Sequence, residues 1–411
     1  MEEKALYTQI LGIQSPWQID HVDLDMIKER VDIFVKWPDK DAPCPECKKA
    51  GEENICKVHD RREERIWRHL DTCQMMTYIH CCIPRIKCSE HGVLSVHVTW
   101  ADEMTRFTQL FERLAIQMLR CSANRSQTAK ILRVSWDEIN QIMERGVSRG
   151  LSRRKEETIH SIGMDEKNFL SGHSYVTVMT DIEGKRVIDV AIDRDETAVN
   201  RLWEGLTVNQ RGQVKAVCTD FWRAYITGVS RYVPQADTVY DKFHVTKHLN
   251  VAVDKVRKRE HRHLMKEKNR NLSGTKYLWL KNPENWTTKE SDRFKSLSDQ
   301  QLAVGRAWNR KELFREFWAS STQDEAEKFF KRWYFSATHS RLEPIIEVAK
   351  MLKRHIDGLI TWVKHHITNG LAEGLNSKIQ QIKSIARGFR NFKNYRIAIL
   401  FHLGGLDMIP Y

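Results

Sequence analysis

Apolar residues alternate with polar ones through much of the first hundred positions, then recur every three to four residues over the next fifty. In VDIFVKW (31–37) every second side chain is apolar, the period of a half-buried strand. MMTYIHCCIPRIKC (75–88) and GVLSVHVTW (92–100) predict further strands. Residues 1–21 read as a short helical or irregular leader ending near Pro16 and Trp17, so the first hundred residues form a small, mostly β module. From Phe107 the period changes: RFTQLFERLAIQMLR is helical, and SQTAKILRVSWDEINQIMERGVSRG predicts two helices joined near Val134 and Ser135. Ala129 and Ile131 supply the small and apolar contacts of the crossing, with Ile139, Ile142 and Met143 on the inner face of the second helix. That is a helix-turn-helix in outline, a pattern shared with any helical hairpin.

Beyond His160 strands and helices interleave. Ile159 to Met164 predicts a short strand ending at Asp165, followed by a hairpin from HSYVTVMTDI and KRVIDVAID. A helix follows from Asp195, then the strand VKAVCT ending at Asp220, the helix FWRAYITGV, and a strand within VPQADTVYDKFHV. Residues 243–360 are charged helical sequence broken by NPENWTT, with Trp279, Trp286, Trp308, Trp318, Trp333 and Trp362 spaced as core anchors. A last helix, Ala372 to Ile382, precedes the basic-aromatic tract RGFRNFKNYR.

Charge narrows the class of partner. The formal net charge of +13 is spread through most of the chain, which points to a polyanion, with nucleic acid first. The opening MEEKALYTQI lacks the pattern of a signal peptide, and IAILFHLGGL is too short to span a bilayer. The expectation is a soluble, cytoplasmic, nucleoid-associated protein with no membrane partner. Eight of the nine cysteines precede residue 122, which favours a metal-bound N-terminal module in a reducing compartment over a disulfide framework.

Cys44-Pro-Glu-Cys47 and Cys88-Ser-Glu-His91 have equal spacing and together offer three sulfurs and one nitrogen to structural Zn2+. Cys56 and His59, also two residues apart, compete for the second pair. Arg61, Arg62, Arg65, Trp67, Arg68 and His69 form the densest basic-aromatic cluster nearby, suited to phosphate contacts. Asn140, Gln141 and Arg145 are the outward candidates on the second helix of the pair, where they could read base edges. Arg153 and Arg154 in the basic run SRGLSRRK, and Arg387 and Arg390 near the C-terminus, complete the candidate DNA contacts.

Asp165 and Asp220 follow two strands of the α/β region, and Glu373 lies on a late helix whose apolar face is Leu371, Leu375 and Ile379. Three carboxylates brought together supply the hard oxygen ligands that Mg2+ or Mn2+ requires. Two such ions about 4 Å apart could serve phosphoryl transfer. Around these acids, Glu166 is expected to face a basic neighbour or the DNA-side loop. His244 is placed either near the metal or a phosphate or as a helix cap, and Asn376 near the carboxylate or the DNA backbone.

The segments IGMDEKNFLSGHSYVTVMTD, VCTDFWRAY, YDKFHVTKHLN and AEGLNSKIQQIKSIARGFRNFKNYR resemble the motif blocks of the ISL-three family of insertion-sequence transposases. WRHLDTCQMMTYIHCCIPRIKCSEHGV is similar to the zinc-binding segment preceding the catalytic part in that family, whose members often carry cysteine where this chain has His91. The resemblance runs in order from about residue 10 to about residue 405. It implies a DDE catalytic core of ribonuclease-H-like fold, with Asp165, Asp220 and Glu373 as the triad and a helical insertion before the last acid. The 152 residues between Asp220 and Glu373 leave room for that insertion.

The expected organisation is a multidomain α/β chain: a zinc-binding β module at 1–100, a helix-turn-helix at 101–155, the first part of the core at 156–254, a helical insertion at 255–360 and the end of the core at 361–411. The expected function is metal-dependent cleavage and strand transfer of double-stranded DNA at the terminal inverted repeats of an insertion sequence. A homodimer would hold both ends and the target. A catalytically inert DNA-binding regulator and a nuclease without joining activity are the alternatives.

Overall fold

The computed structural model describes residues 3–154, 157–169, 174–298, 300–367 and 370–410, except for the side chains of residues 3 and 371–373. The chain forms two compact units, one of residues 1–152 with 406–411 and one of residues 153–405.

In the first unit, α1 (Glu3–Ile10) leads into β1 (Gln18–Asp25), β2 (Arg30–Lys36), β3 (Asp41–Pro43), the short α2 (Pro45–Lys49) and β4 (Ile55–Arg61). β5 (Arg65–Arg68), β6 (Met76–Cys81), β7 (Pro84–Cys88) and β8 (Gly92–Ser95) follow. They form two four-stranded sheets, ordered β1-β2-β6-β5 and β3-β4-β7-β8. Val31, Ile33 and Val35 point inward as the alternation requires, onto a core with Trp17, Trp37, Trp67 and Trp100. Edge-to-face contacts join Trp17 to Trp37 and Trp100 at ring separations of 5.0 and 5.1 Å.

α3 (Gln109–Ser122), α4 (Arg125–Leu132) and α5 (Trp136–Arg153) follow. Asn124 caps α4 by accepting from the Gln127 N–H, and Arg133 ends it in the left-handed region at φ 55°. Ser135 and Glu138 then start α5 with reciprocal bonds: the Ser135 N–H donates to Glu138 Oε2 at 2.8 Å, and the Glu138 N–H to Ser135 Oγ at 3.2 Å. Ile139, Ile142, Met143 and Ala129 are buried as the helical period implies, but Ile131 is 63% exposed. Thr128 and Leu132, four residues apart and so one turn above each other, take the inward positions instead, beside Ala129 on the face that α4 buries.

The second unit is built on β9 (Ser161–Asn168), β10 (Tyr175–Asp181), β11 (Arg186–Ile192), α6 (Glu196–Glu204), α7 (Val208–Gln213), β12 (Ala216–Thr219), α8 (Arg223–Tyr232) and β13 (Asp237–Tyr240). The sheet order is β11-β10-β9-β12-β13. β10 runs antiparallel to both β11 and β9, while β12 runs parallel to both β9 and β13. α6 and α8 share a core with Ile162, Met164, Met179 and Val217 of the sheet. Gly228 permits their approach: a Cβ there would stand 2.4 Å from Val199 Cγ1.

One expectation is corrected here. β9 does not stop before Asp165 but continues to Asn168, because its pairing with β10 extends to Asn168↔Tyr175. Its pairing with β12 ends at Cys218↔Gly163, so Asp165 lies in a stretch that is paired on the β10 side and past the end of β12 on the other.

The rest of the unit is helical: α9 (Lys242–Lys266), α10 (Lys276–Leu280), α11 (Thr288–Ser298), α12 (Ala303–Phe314), α13 (Gln323–Thr338), α14 (Glu343–Arg354), α15 (Ile356–His365), α16 (Gly370–Ile385) and α17 (Phe392–Leu403). Trp279, Trp318, Trp333 and Trp362 are buried in its core, while Trp286 and Trp308 stack at 5.8 Å beside it. Two of the boundaries expected from sequence fall inside unbroken helices, position 255 within α9 and position 360 within α15. α15 returns to the sheet edge, where Thr361 Oγ1 donates to the Thr238 carbonyl at 2.6 Å and Lys364 Nζ meets Asp237 at 2.7 Å.

Candidate active site

Because β12 runs parallel to β9 with Cys218 beside Gly163, two further residues along each chain place Asp220 next to Asp165. Asp165 is largely buried, with 16% of its side chain exposed. Its Oδ2 accepts from the Asn376 amide at 2.6 Å, and its Oδ1 from the Glu166 N–H at 2.8 Å. Asp220 Oδ1 accepts from the Trp222 N–H at 2.9 Å. Burial raises the Asp220 carboxyl above its ordinary value, and the charges of Glu166 and Asp165 add to this, while the Trp222 N–H and His244 oppose it. Glu373 is on α16, but its side chain lies outside the described residues.

Desolvated carboxylates that repel one another fit a divalent cation, which would relieve both costs at once. The same field reaches the neighbours. Burial and then the acids push up the Tyr225 hydroxyl, and burial with Asp241 and Asp165 does the same to the Cys218 thiol.

Glu166 pairs with a basic neighbour, Arg194, 3.0 Å away, while its charge still acts on Asp220. His244 approaches Asp220 electrostatically but does not cap α9; that role belongs to Asp241, whose carboxylate accepts from the Phe243 N–H at 3.2 Å. Asn376, only 7% exposed, joins Asp165 rather than solvent.

Sequence reasoning missed Arg194. Its guanidinium lies over the Tyr175 and Trp222 rings at 4.4 and 4.6 Å, and its carbonyl accepts from Trp222 Nε1 at 2.7 Å. The available signal was an arginine two residues past the end of β11, with a tryptophan two residues past the second aspartate.

In the first unit, Cys44 precedes α2 and Cys47 lies in it, while Cys88 ends β7 and His91 occupies the turn to β8. The four ligand atoms all lie within 4.8 Å of one another. Cys47 Sγ is 3.9 Å from Cys88 Sγ and 3.4 Å from His91 Nδ1, and His91 Nδ1 is 3.8 Å from Cys44 Sγ. A tetrahedral zinc with bonds of about 2.3 Å to sulfur and about 2.0 Å to nitrogen requires edges of roughly 3.5 to 3.8 Å, close to these distances. Backbone N–H groups of His91 and Glu90 lower the Cys88 thiol, whereas burial and Cys44 raise that of Cys47. Cys56 and His59 stand outside this group: both are on β4, where residues three apart face opposite ways, so Cys56 is buried and His59 exposed.

The candidate DNA contacts separate by burial. Arg61, Arg62, Gln141, Arg387 and Arg390 are exposed, and Arg153 is half-buried. Trp67 is wholly buried in the β core. Arg68 is 5% exposed, pairs with Asp71 and donates to the Thr77 carbonyl, so it is a structural residue rather than a phosphate contact. Arg65 lies over the Trp67 ring at 4.8 Å and donates to the Thr105 carbonyl. Arg145 turns inward to buried Glu112 at 2.8 Å, since an unpaired carboxylate there would be costly. Asn140 accepts from Arg125 at 2.8 Å. Arg154, 7% exposed, donates to the carbonyls of Val187, Ile188 and Gly404.

Residues 162–399 match the family model of the ISL3 DDE domain, described as a transposase. Residues 96–147 match the helix-turn-helix domain of transposase family ISL3, and residues 40–91 the zinc-finger of transposases IS204, IS1001, IS1096 and IS1165. The first match spans more than half of the chain, which therefore belongs to the ISL3 family of DDE transposases, enzymes that bind DNA and require a divalent metal. The chain is similar to the transposase for insertion sequence element IS1557 of Mycobacterium tuberculosis, 24% identical over 95% of this chain and 93% of that protein. It is also similar to the transposase for insertion sequence element IS1001 of Bordetella parapertussis, 23% identical over 84% of this chain and 85% of that protein. No helix among the described residues is long and apolar enough to cross a membrane.

Proposed function

We propose that this transposase cuts and joins double-stranded DNA at the terminal inverted repeats of its element, using Mg2+ or Mn2+ held by Asp165, Asp220 and Glu373. The observation that carries this reading is the convergence of two desolvated aspartates, Asp165 and Asp220, at neighbouring positions of adjacent parallel strands. A sheet of three antiparallel strands continued by two parallel ones supports a ribonuclease-H-like core, and α9 to α15 support a helical insertion before the last acid.

Bound cations would supply water activation and stabilisation of the departing oxygen. Asn376 and the Glu166 N–H hold both oxygens of Asp165 in a fixed orientation. The Trp222 N–H holds one oxygen of Asp220, and Arg194 partly neutralises the Glu166 charge beside the acids. Cys44, Cys47, Cys88 and His91 are assigned to structural zinc. Gln141, Arg61, Arg62, Arg387 and Arg390 are assigned to DNA. A homodimer is assigned to the paired ends.

The test is cleavage and strand transfer on labelled DNA bearing the element's ends, with Mg2+ or Mn2+, comparing the unmodified protein with Asp220→Asn. Joined product that vanishes in the variant while end binding persists is expected. Equal activity in both would overturn the site. Binding without cutting by either would favour an inert regulator, and cutting without joining a nuclease.

A further inference from the structure

α9 begins at the acidic site and runs outward for 25 residues. Asp241 caps it directly after β13, and His244 in its first turn acts on Asp220. One face is fixed by burial: Val245, Leu249, Ala252, Val253 and Val256 enter the helical core. The opposite face carries Phe243, Lys247, Val251, Lys255 and Lys258 at helical spacing, and Lys276 of α10 completes a groove with them. Four of the groove's lining residues are lysines, and Asp254 is its single carboxylate. Asp254 pairs with Lys258 at 2.9 Å, and Lys255 lies 4.0 Å from Glu347. Lys247 and Lys276 have no carboxylate within 4.0 Å among the described residues, which leaves the groove positive. Phe243 is 56% exposed at the end nearest the acids.

An exposed ring in a groove whose lining lysines outnumber its carboxylate four to one has the character of a nucleic-acid track rather than of a packed surface. From Phe243 to Lys258 the helix rises about 22 Å at ~1.5 Å per residue, the length of roughly six phosphates along one strand at ~3.4 Å each. We infer that this groove carries the DNA flank leaving the active site, with Lys247, Lys255 and Lys276 on phosphates spaced along that length and Phe243 against the sugar or base nearest the acids. The inference rests on the transposase reading, for it uses the acids as the fixed point from which the DNA runs.

The experiment measures affinity of the full chain for a labelled duplex over a range of salt concentrations, without divalent metal, for the unmodified protein, Lys247→Ala/Lys276→Ala and Lys331→Ala. Lys331 is a control lysine on α13, paired with Glu327 at 2.8 Å. The double variant should lose about 2 from the slope of log K against log salt, since each phosphate contact contributes ~0.9. The loss should be equal on unrelated duplexes of the same length, and hydroxyl-radical protection next to the cleavage site should disappear. Phe243→Ala should reduce protection at the nearest nucleotide only. A double variant with the slope and footprint of the unmodified protein overturns the inference and leaves the groove to another partner. Failure of the unmodified protein to bind any duplex would instead strike the transposase reading itself.

Discussion

Replacing Asn376 by alanine tests whether the acidic site depends on the side chains that hold it. The amide is buried, and its Nδ2 donates to Asp165 Oδ2 at 2.6 Å, while the second Asp165 oxygen is held by the Glu166 N–H at 2.8 Å. Removing the amide leaves Oδ2 with only the Lys167 ammonium, 3.9 Å away, and the carboxylate less firmly held about its terminal torsion. A hydrogen bond to a charged acceptor contributes about 1.5–3 kcal/mol. At ~1.36 kcal/mol for each factor of ten, that corresponds to a loss of roughly 10- to 100-fold, the range seen when a residue that orients a metal ligand is removed. The loss should appear in single-turnover cleavage of a labelled element end and as a higher Mg2+ concentration at half-maximal rate. DNA affinity measured in chelator should not change. Asn376→Asp, which sets a second carboxylate against Asp165, should be the more damaging replacement. Cleavage by Asn376→Ala within twofold of the unmodified protein, at the same Mg2+ requirement, would refute a positioning role for this amide.

Other consequences follow from the same structure. One zinc per chain is expected by metal analysis; Cys47→Ser should abolish it and expose β3 to β8 to hydrogen exchange, because zinc binding of about 10 kcal/mol is folding energy in such a module. Cys56→Ser should leave the zinc content at one, and a loss there would reverse the ligand assignment. Burial, reinforced by Arg68, holds His69 down to about 4 from an ordinary 6.5. A neutral buried histidine stabilises the fold fully above pH 6.5 and loses that contribution as pH falls to 4, by about 3 kcal/mol. Hydrogen exchange of β5 and β6 should therefore accelerate over that window, and His69→Gln should flatten the dependence. Arg154→Ala, which strips donors from three buried carbonyls, should cost about 3 kcal/mol of stability, read as faster hydrogen exchange around β11. Arg387→Ala, at an exposed position, should leave exchange unchanged but reduce the salt slope of DNA binding by about 0.9. Reversal of that contrast would show that burial misassigns the two arginines.

Local pattern determined much of this molecule. The period-two run around Val31, the three-to-four spacing through Ile139, Ile142 and Met143, and the capping residues Asn124 and Ser135 are encoded within a few neighbours. So were the paired Cys-x-x-Cys and Cys-x-x-His spacings and the aspartate at the end of β12. Tertiary structure decided what depends on distant partners. The reach of β9 past Asp165 comes from its pairing with Tyr175 on β10, a register no local period reports. The distance from Cys44 and Cys47 to Cys88 and His91 depends on β7 pairing with β4, which brings positions 41 residues apart together. Which arginines meet solvent was also undecided until packing: Arg62 and Arg68 are alike in composition, yet one is exposed and the other is enclosed with Asp71 as its counter-ion. Charge along a sequence is a one-dimensional quantity, whereas desolvation and pairing depend on the elements that fold over it.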